Sequence, residues 1–141
     1  MELLTMNVTA ILKSKCNLKK LFETLPINEK IVSLRFSKTY LEITIRFNSA
    51  GYKSIRLSKY KAVIFGCKSV ETASEVLKDL KLEFSNIRET LVIYTYDLPI
   101  KSDHLLVKYK SSSFRIQDNK VKQVSKSIKD AQEAYNEFIK I

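Results

Sequence analysis

Two stretches of this 141-residue chain are near-copies of each other, and any fold assigned to it must accommodate that duplication. Lys68, Ser69, Ala73 and Glu75 recur as Lys126, Ser127, Ala131 and Glu133, an offset of 58, while the apolar Val70, Leu77 and Leu80 recur as Ile128, Tyr135 and Phe138. Upstream, Ser54-Ile55-Arg56-Leu57 returns as Ser113-Phe114-Arg115-Ile116 at an offset of 59. Ile43-Thr44-Ile45-Arg46-Phe47 is similar to Leu105-Leu106-Val107-Lys108-Tyr109. A period near 60 is too long for the common solenoids. Two copies with strands and helix in the same order point to two half-domains related by a pseudo-twofold axis.

The length fits one domain. Lys and Arg total 25 against 15 Asp and Glu, a net charge of +10. Such an excess favours a polyanionic partner, either nucleic acid or an anionic membrane surface. No apolar run approaches the roughly 18 residues of a spanning helix. The start, Met1-Glu2-Leu3-Leu4-Thr5, has no secretory pattern. Cys16 and Cys67 stand in unlike contexts and read as lone thiols in a reducing compartment. With His104 as the sole histidine, no zinc spacing exists. Gly51 and Gly66 are the only glycines, which excludes a phosphate-cradling loop and a nucleophile elbow. His104 lies near Ser102 and Asp103 but lacks an obvious catalytic partner, so an enzyme, a cofactor and a metal are not expected.

Local pattern predicts strands over 6–12, 30–36, 40–47, 52–58 and 61–66. Asn17 caps a short helix that Pro26 ends, and Asn48-Ser49-Ala50-Gly51 is a hairpin turn. Ser69 caps a helix with a Val70, Ala73, Leu77 and Leu80 stripe. The second half repeats the order. A strand over 88–96 is broken by Asp97-Leu98-Pro99, three strands lie near 104–109, 112–117 and 120–124, and a helix follows Ser127. Asp130 there resembles part of a capping box. Short connections imply an antiparallel sheet with the helices on one face and the other face open.

These features together resemble the TATA-box-binding protein family. Val63-Ile64-Phe65-Gly66-Cys67-Lys68-Ser69-Val70-Glu71 is similar to its V-V-T-G-A-K-S-x-E signature. Counting back without a gap, Ser54-Ile55-Arg56-Leu57-Ser58 falls on A-L-I-F-S, and Tyr40 to Arg46 on F-x-x-V-x-M-R. Asn7-Val8-Thr9-Ala10 and Asn86-Ile87 resemble the openings of the two repeats, and Leu98-Pro99-Ile100-Lys101 resembles F-P-I-R. The resemblance runs from about 7 to 140. It implies an α+β fold in which two pseudo-symmetric repeats form one curved antiparallel sheet, a saddle, with amphipathic helices on the convex face. On this reading 1–141 is a single domain, with repeat one at 6–83 and repeat two at 84–141, the first helix of repeat two being shortened or missing.

The family's role implies a non-catalytic transcription factor that grips A·T-rich double-stranded DNA in the minor groove. Asn7 and Asn86 would take the central positions that donate to base acceptors. Tyr40 and Leu57 would stand at the first wedging pair, Ile116 at one of the second, and Leu98 near the other. Ile55, Val63, Phe65 and Phe114 would line the groove floor, with Arg46, Lys59 and Lys108 among the phosphate contacts at the rim, beside Lys38, Lys53, Lys61 and Lys110. None of the wedge positions is Phe, which implies weaker bending, and Phe65 replaces a small Thr. Arg56 and Arg115 fall where the family has an apolar residue facing the helices. Burying two unpaired guanidinium groups is costly, so register or layering is expected to differ there.

Two other functions fit the same residues. The fold could serve as a protein-interaction module that binds or blocks a transcription component, a general factor or an RNA polymerase part. Alternatively, Tyr40, Tyr52 and Tyr60 could be RNA-stacking platforms, although the glycine-aromatic sheet motif of such proteins is missing. No membrane partner is expected. The location is expected to be intracellular, in the cytoplasm if prokaryotic or viral and in the nucleus if eukaryotic.

Overall fold

The computed structural model describes residues 1–46 and 51–139, with side chains left out over 100–105. The expected turn at Asn48-Ser49-Ala50 and the side chain of His104 therefore lie outside the described residues. The elements are β1 (Glu2–Leu12), α1 (Leu18–Thr24), β2 (Ile31–Phe36), β3 (Leu41–Arg46), β4 (Tyr52–Leu57), β5 (Lys61–Cys67), α2 (Val70–Asp79), β6 (Phe84–Tyr109), β7 (Ser112–Ser125) and α3 (Ile128–Phe138). The seven described strands follow the hydrogen-bonded order β2-β3-β4-β5-β1-β6-β7. The fold class is α+β on an antiparallel sheet, as the sequence pattern implies. Among the described residues no helix is long and apolar enough to cross a membrane. The chain clusters into two compact units, Asn7–Arg88 and Met1–Met6 with Glu89–Ile141.

In the unit Asn7–Arg88, strands β2 to β5 form an antiparallel meander. Strand alternation decides which side chains meet the helices. Leu41, Ile43 and Ile45 of β3 are fully buried, and their cross-strand partners on β4 are Leu57, Ile55 and Lys53. On β5, Ala62 and Ile64 continue the same layer. Ala73, Val76 and Leu77 of α2 are also fully buried, so this helix covers that layer. α1 adds buried Leu18, and its Phe22 ring lies 5.6 Å from that of Phe36 on β2. Both helices begin as expected: Asn17 Oδ1 accepts from the Lys20 N–H at 3.1 Å and Ser69 Oγ from the Thr72 N–H at 3.1 Å. Each bond satisfies a donor that the first helical turn leaves unpaired.

The unit with Glu89–Ile141 is built on a long ribbon. β6 and β7 pair from Tyr109↔Ser112 to Val92↔Ser125. Asp97-Leu98-Pro99 does not end β6; the strand continues and absorbs the irregularity as a register shift between Asp97 and Leu105. The segments expected as separate strands at 112–117 and 120–124 are likewise one strand, β7. Asp118, at φ 56°, takes up the shift there, and Asp is among the few residues that tolerate this left-handed conformation. The corresponding stretch of the first unit is instead a hairpin, β4–β5. What the two stretches share is the capped helix: Ser127 Oγ accepts from the Asp130 N–H at 3.0 Å, and Ala131 and Ala134 are buried.

The α3 core is aromatic. Phe114 stacks on Phe138 with centroids 4.5 Å apart, and Tyr96 meets Tyr135 edge-on at 5.1 Å. Fully buried Gln123 joins the layers: its Nε2 donates to the Ala131 carbonyl at 2.7 Å, and its Oε1 accepts from the Tyr96 hydroxyl at 3.0 Å. Burial, with Tyr135 adding to it, pushes the Tyr96 hydroxyl far above the usual phenol range.

Candidate nucleic-acid interface

Each unit has a sheet face turned away from its helices. In Asn7–Arg88 that face carries the alternate residues Asn7 and Thr9 of β1, Val63 and Phe65 of β5, Ser54 and Arg56 of β4, and Glu42, Thr44 and Arg46 of β3. All are half-buried or exposed. Asn7 alternates with buried Met6 and Val8, so its amide stands on this face. Asn86 is exposed near the start of β6 in the same unit.

Toward the β2 edge of the sheet the face carries an arginine cluster. Arg56 Nη2 donates to Glu42 Oε1 at 2.8 Å, while Arg35 Nη2 and Nε donate to Glu42 Oε2 at 2.7 and 3.1 Å. The Arg56 guanidinium lies 4.5 Å from the Tyr40 ring centroid and 5.9 Å from that of Phe65. Tyr40 is therefore a platform for a cation and not a free wedge. The Arg56 hydrogen bond, with Arg35 adding to it, holds the Glu42 carboxyl below its usual range against an opposing desolvation. The Arg56 side chain remains 48% exposed, and one of its five donors is engaged by Glu42. At the edge, Arg46 sits 5.7 Å from the Tyr52 ring.

Several sequence-based assignments are overturned. Ile55 and Leu57 do not join Val63 and Phe65 in one exposed strip: both are 0% exposed in the helix-side core. Phe114 and Ile116 are likewise buried, in the cluster that packs on α3. The cause is register. The β4–β5 turn is tight, with Leu57 opposite Ala62 and the Ser58 N–H donating to the Lys61 carbonyl at 2.8 Å. A one-residue difference between strands exchanges every side chain between faces. Arg56 rather than Leu57 thus stands opposite Val63 on the open face.

The same alternation in the other unit exposes Arg115 opposite Leu106 and places Lys108 opposite Ser113. Lys53 leaves the rim: it is 8% exposed and donates from Nζ to the Gly66 carbonyl at 2.8 Å. Lys110 is paired with Glu133 on α3 at 2.6 Å. Lys38, Lys59 and Lys61 are exposed.

Arg35, Glu42, Arg56 and Arg115 are the face residues missed by counting against a family pattern. The signal for them was present in Ser54-Ile55-Arg56-Leu57, where only one of the two alternating sets is apolar. Among the described residues no three His, Cys, Asp or Glu side chains are placed to hold a metal ion. Cys16 and Cys67 are free thiols, both pushed up by burial.

No family model matches the sequence, and no curated protein does. The fold does have a solved counterpart. A TBP of Methanococcus jannaschii superposes with a TM-score of 0.71 over 99% of this chain and 95% of its own, at 16% sequence identity. The fold is that of a TATA-box-binding protein. Identity this low establishes the architecture and leaves the face chemistry to be read from this chain's own residues.

Proposed function

We propose that the chain is a TATA-box-binding protein-like factor that binds A·T-rich double-stranded DNA in the minor groove. The contact surface is the sheet face opposite the helices. The observation that carries this is the fold likeness over 99% of the chain, combined with an uncovered sheet face bearing Asn7, Val63, Phe65 and Arg56.

The chemistry of the face gives a reason for A·T preference. The minor groove of A·T tracts is narrow and strongly negative, and it draws inserted arginines. Arg56 and Arg115 offer such groups, while an Asn amide suits the N3 and O2 acceptors of A·T pairs. With guanidinium groups where wedges would stand, bending falls below the roughly 80° known for minor-groove kinking by proteins of this type. The net charge of +10 supports the phosphate contacts.

The test is a titration of A·T-rich and G·C-rich duplexes at several salt concentrations. Affinity for the A·T-rich duplex should be the higher, and log K should fall with log salt by about 0.9 for each phosphate neutralised. Arg56→Ala should weaken binding, and Arg56→Lys should restore only part of it because the ammonium lacks the planar fork. Absence of binding to any duplex refutes this reading. It would leave the second one, a protein-interaction module that engages or blocks a transcription component. The Glu42 carboxylate on the open face, which repels phosphate, is the observation that favours that alternative.

A further inference from the structure

The unit Asn7–Arg88 holds a recess on the helix side of the sheet, away from the open face, and two of the lysines expected from the sequence at the DNA rim, Lys38 and Lys59, line it. It encloses about 440 Å³ at the end of the sheet beside α1. Leu18, Phe36 and Cys16 supply apolar surface, and Lys15, Lys19, Lys38 and Lys59 stand around it. Three segments converge here. Lys15 and Lys19 flank the start of α1, Lys38 follows β2, and Lys59 lies in the β4–β5 turn. The Cys16 N–H donates to the Lys59 carbonyl at 2.7 Å, which ties the first segment to the last. The Phe36 ring is held by its contact with Phe22.

Two properties separate this recess from the open face. Phe36 pairs with fully buried Leu41, so it belongs to the helix side of the sheet. And no carboxylate among the described residues pairs with any of the four lysines, whereas Arg35 and Arg56 on the open face share Glu42. Four unneutralised ammonium groups around an apolar concavity have a definite complement. A phosphate backbone needs no apolar floor and is not shaped to enter a concavity. An acidic peptide carrying a bulky apolar residue satisfies both features, with one side chain in the recess and carboxylates on the rim.

We propose that this recess docks an acidic segment of a partner protein through an apolar anchor seated against Phe36 and Leu18, with flanking Asp and Glu side chains on Lys15, Lys19, Lys38 and Lys59. The site lies on the helix side of the sheet, so this proposal assigns Lys38 and Lys59 to the partner segment and not to DNA phosphates.

Cys16 makes the test direct, because it lines the recess while Cys67 is fully buried. The probe is a short fluorescent peptide of alternating Asp and Glu around one central Phe, with two controls, one having Ala for Phe and one having Lys for the acids. The Phe peptide should bind, should slow maleimide labelling of Cys16, and should outbind both controls. Lys38→Glu with Lys59→Glu should weaken it by about tenfold or more, since both positions are exposed and like charges facing across an interface are strongly unfavourable. Phe36→Ala should also weaken it with the lysines intact. The proposal is overturned if the Phe peptide binds no better than the Ala peptide, or if the double reversal leaves its affinity unchanged. It is equally overturned if an A·T-rich duplex displaces the peptide and protects Cys16 in its place, because the recess is then a nucleic-acid contact.

Discussion

Leu57 decides between two physical pictures of the β4–β5 hairpin. If it were a wedge on the open face, shortening it to Ala would remove an exposed side chain and change stability by no more than about 0.5 kcal/mol. In the structure it is 0% exposed, opposite Ala62 on one side and Leu41 on the other, in the layer that α2 covers. Its neighbours Ile43, Ile55 and Ile64 are also fully buried, so the site has little freedom to collapse around a void. Leu57→Ala should therefore cost about 3–5 kcal/mol, the range for a deeply buried leucine whose cavity persists. Leu57→Phe should also destabilise, by about 1–3 kcal/mol, because the layer has no space for a ring. Urea denaturation reads both values from the shift in midpoint at constant slope. Val63→Ala, half-buried on the opposite face, is the control and should cost well under half as much as Leu57→Ala. The register assignment is wrong if Leu57→Ala unfolds at the parent's midpoint, and more so if Leu57→Phe increases DNA bending without loss of stability.

Three further outcomes follow from the contacts. Gln123→Leu should destabilise by about 1–3 kcal/mol, since it removes the partner of the half-buried Tyr96 hydroxyl and the bond that ties β7 to the Ala131 carbonyl of α3; thermal unfolding of the single variant measures it. Ser69→Ala should cost about 1 kcal/mol through loss of the bond to the Thr72 N–H, and Ser69→Asp, which can accept the same bond, should recover most of it. Because the folded Glu42 carboxyl is depressed, its contribution is present above the ordinary carboxylate pKa and disappears as pH falls through the folded value. Stability curves of the parent and Glu42→Gln should thus differ at neutral pH and converge in acid. A constant gap down to the lowest pH would show that the Arg35 and Arg56 pairing is not the source.

Much of the architecture is legible in local chemistry. Ser69, Ser127 and Asn17 announce their helices because a side-chain oxygen three residues before an amide is a local requirement, and all three make that bond. The alternation of Leu41, Ile43 and Ile45 is legible for the same reason, since it needs only one sheet with one covered face. What is not local is the path of 112–125. Whether a polar stretch such as Gln117-Asp118-Asn119 turns into a hairpin or runs straight depends on the strand beside it. Here β6 supplies a partner throughout, so the chain runs straight and Asp118 absorbs the mismatch. Asp97-Leu98-Pro99 is non-local in the same way: proline interrupts a ladder, but a register shift of a few residues lets the strand resume.

On the open face the pattern of a distant family and the chain's own alternation disagree. An ungapped count put Ile55 and Leu57 outward and Arg56 inward, a choice that buries a guanidinium and exposes two large aliphatics. Sequestering an unpaired charge costs several kcal/mol, while burying a Leu or Ile returns roughly 1.5–3 kcal/mol. Both terms favour the other register, and the tight turn that closes with Ser58 and Lys61 provides it. The change reaches function because β5 keeps its own facing: Val63 and Phe65 stay outward, and the residue brought opposite Val63 becomes Arg56. Arg115, in the recurring Ser-aromatic or aliphatic-Arg pattern, turns outward by the same logic between buried Phe114 and Ile116. A face that wedges apolar rings between base steps and one that offers guanidinium groups recognise different properties of a duplex, its ease of kinking in the first case and the width of its groove in the second.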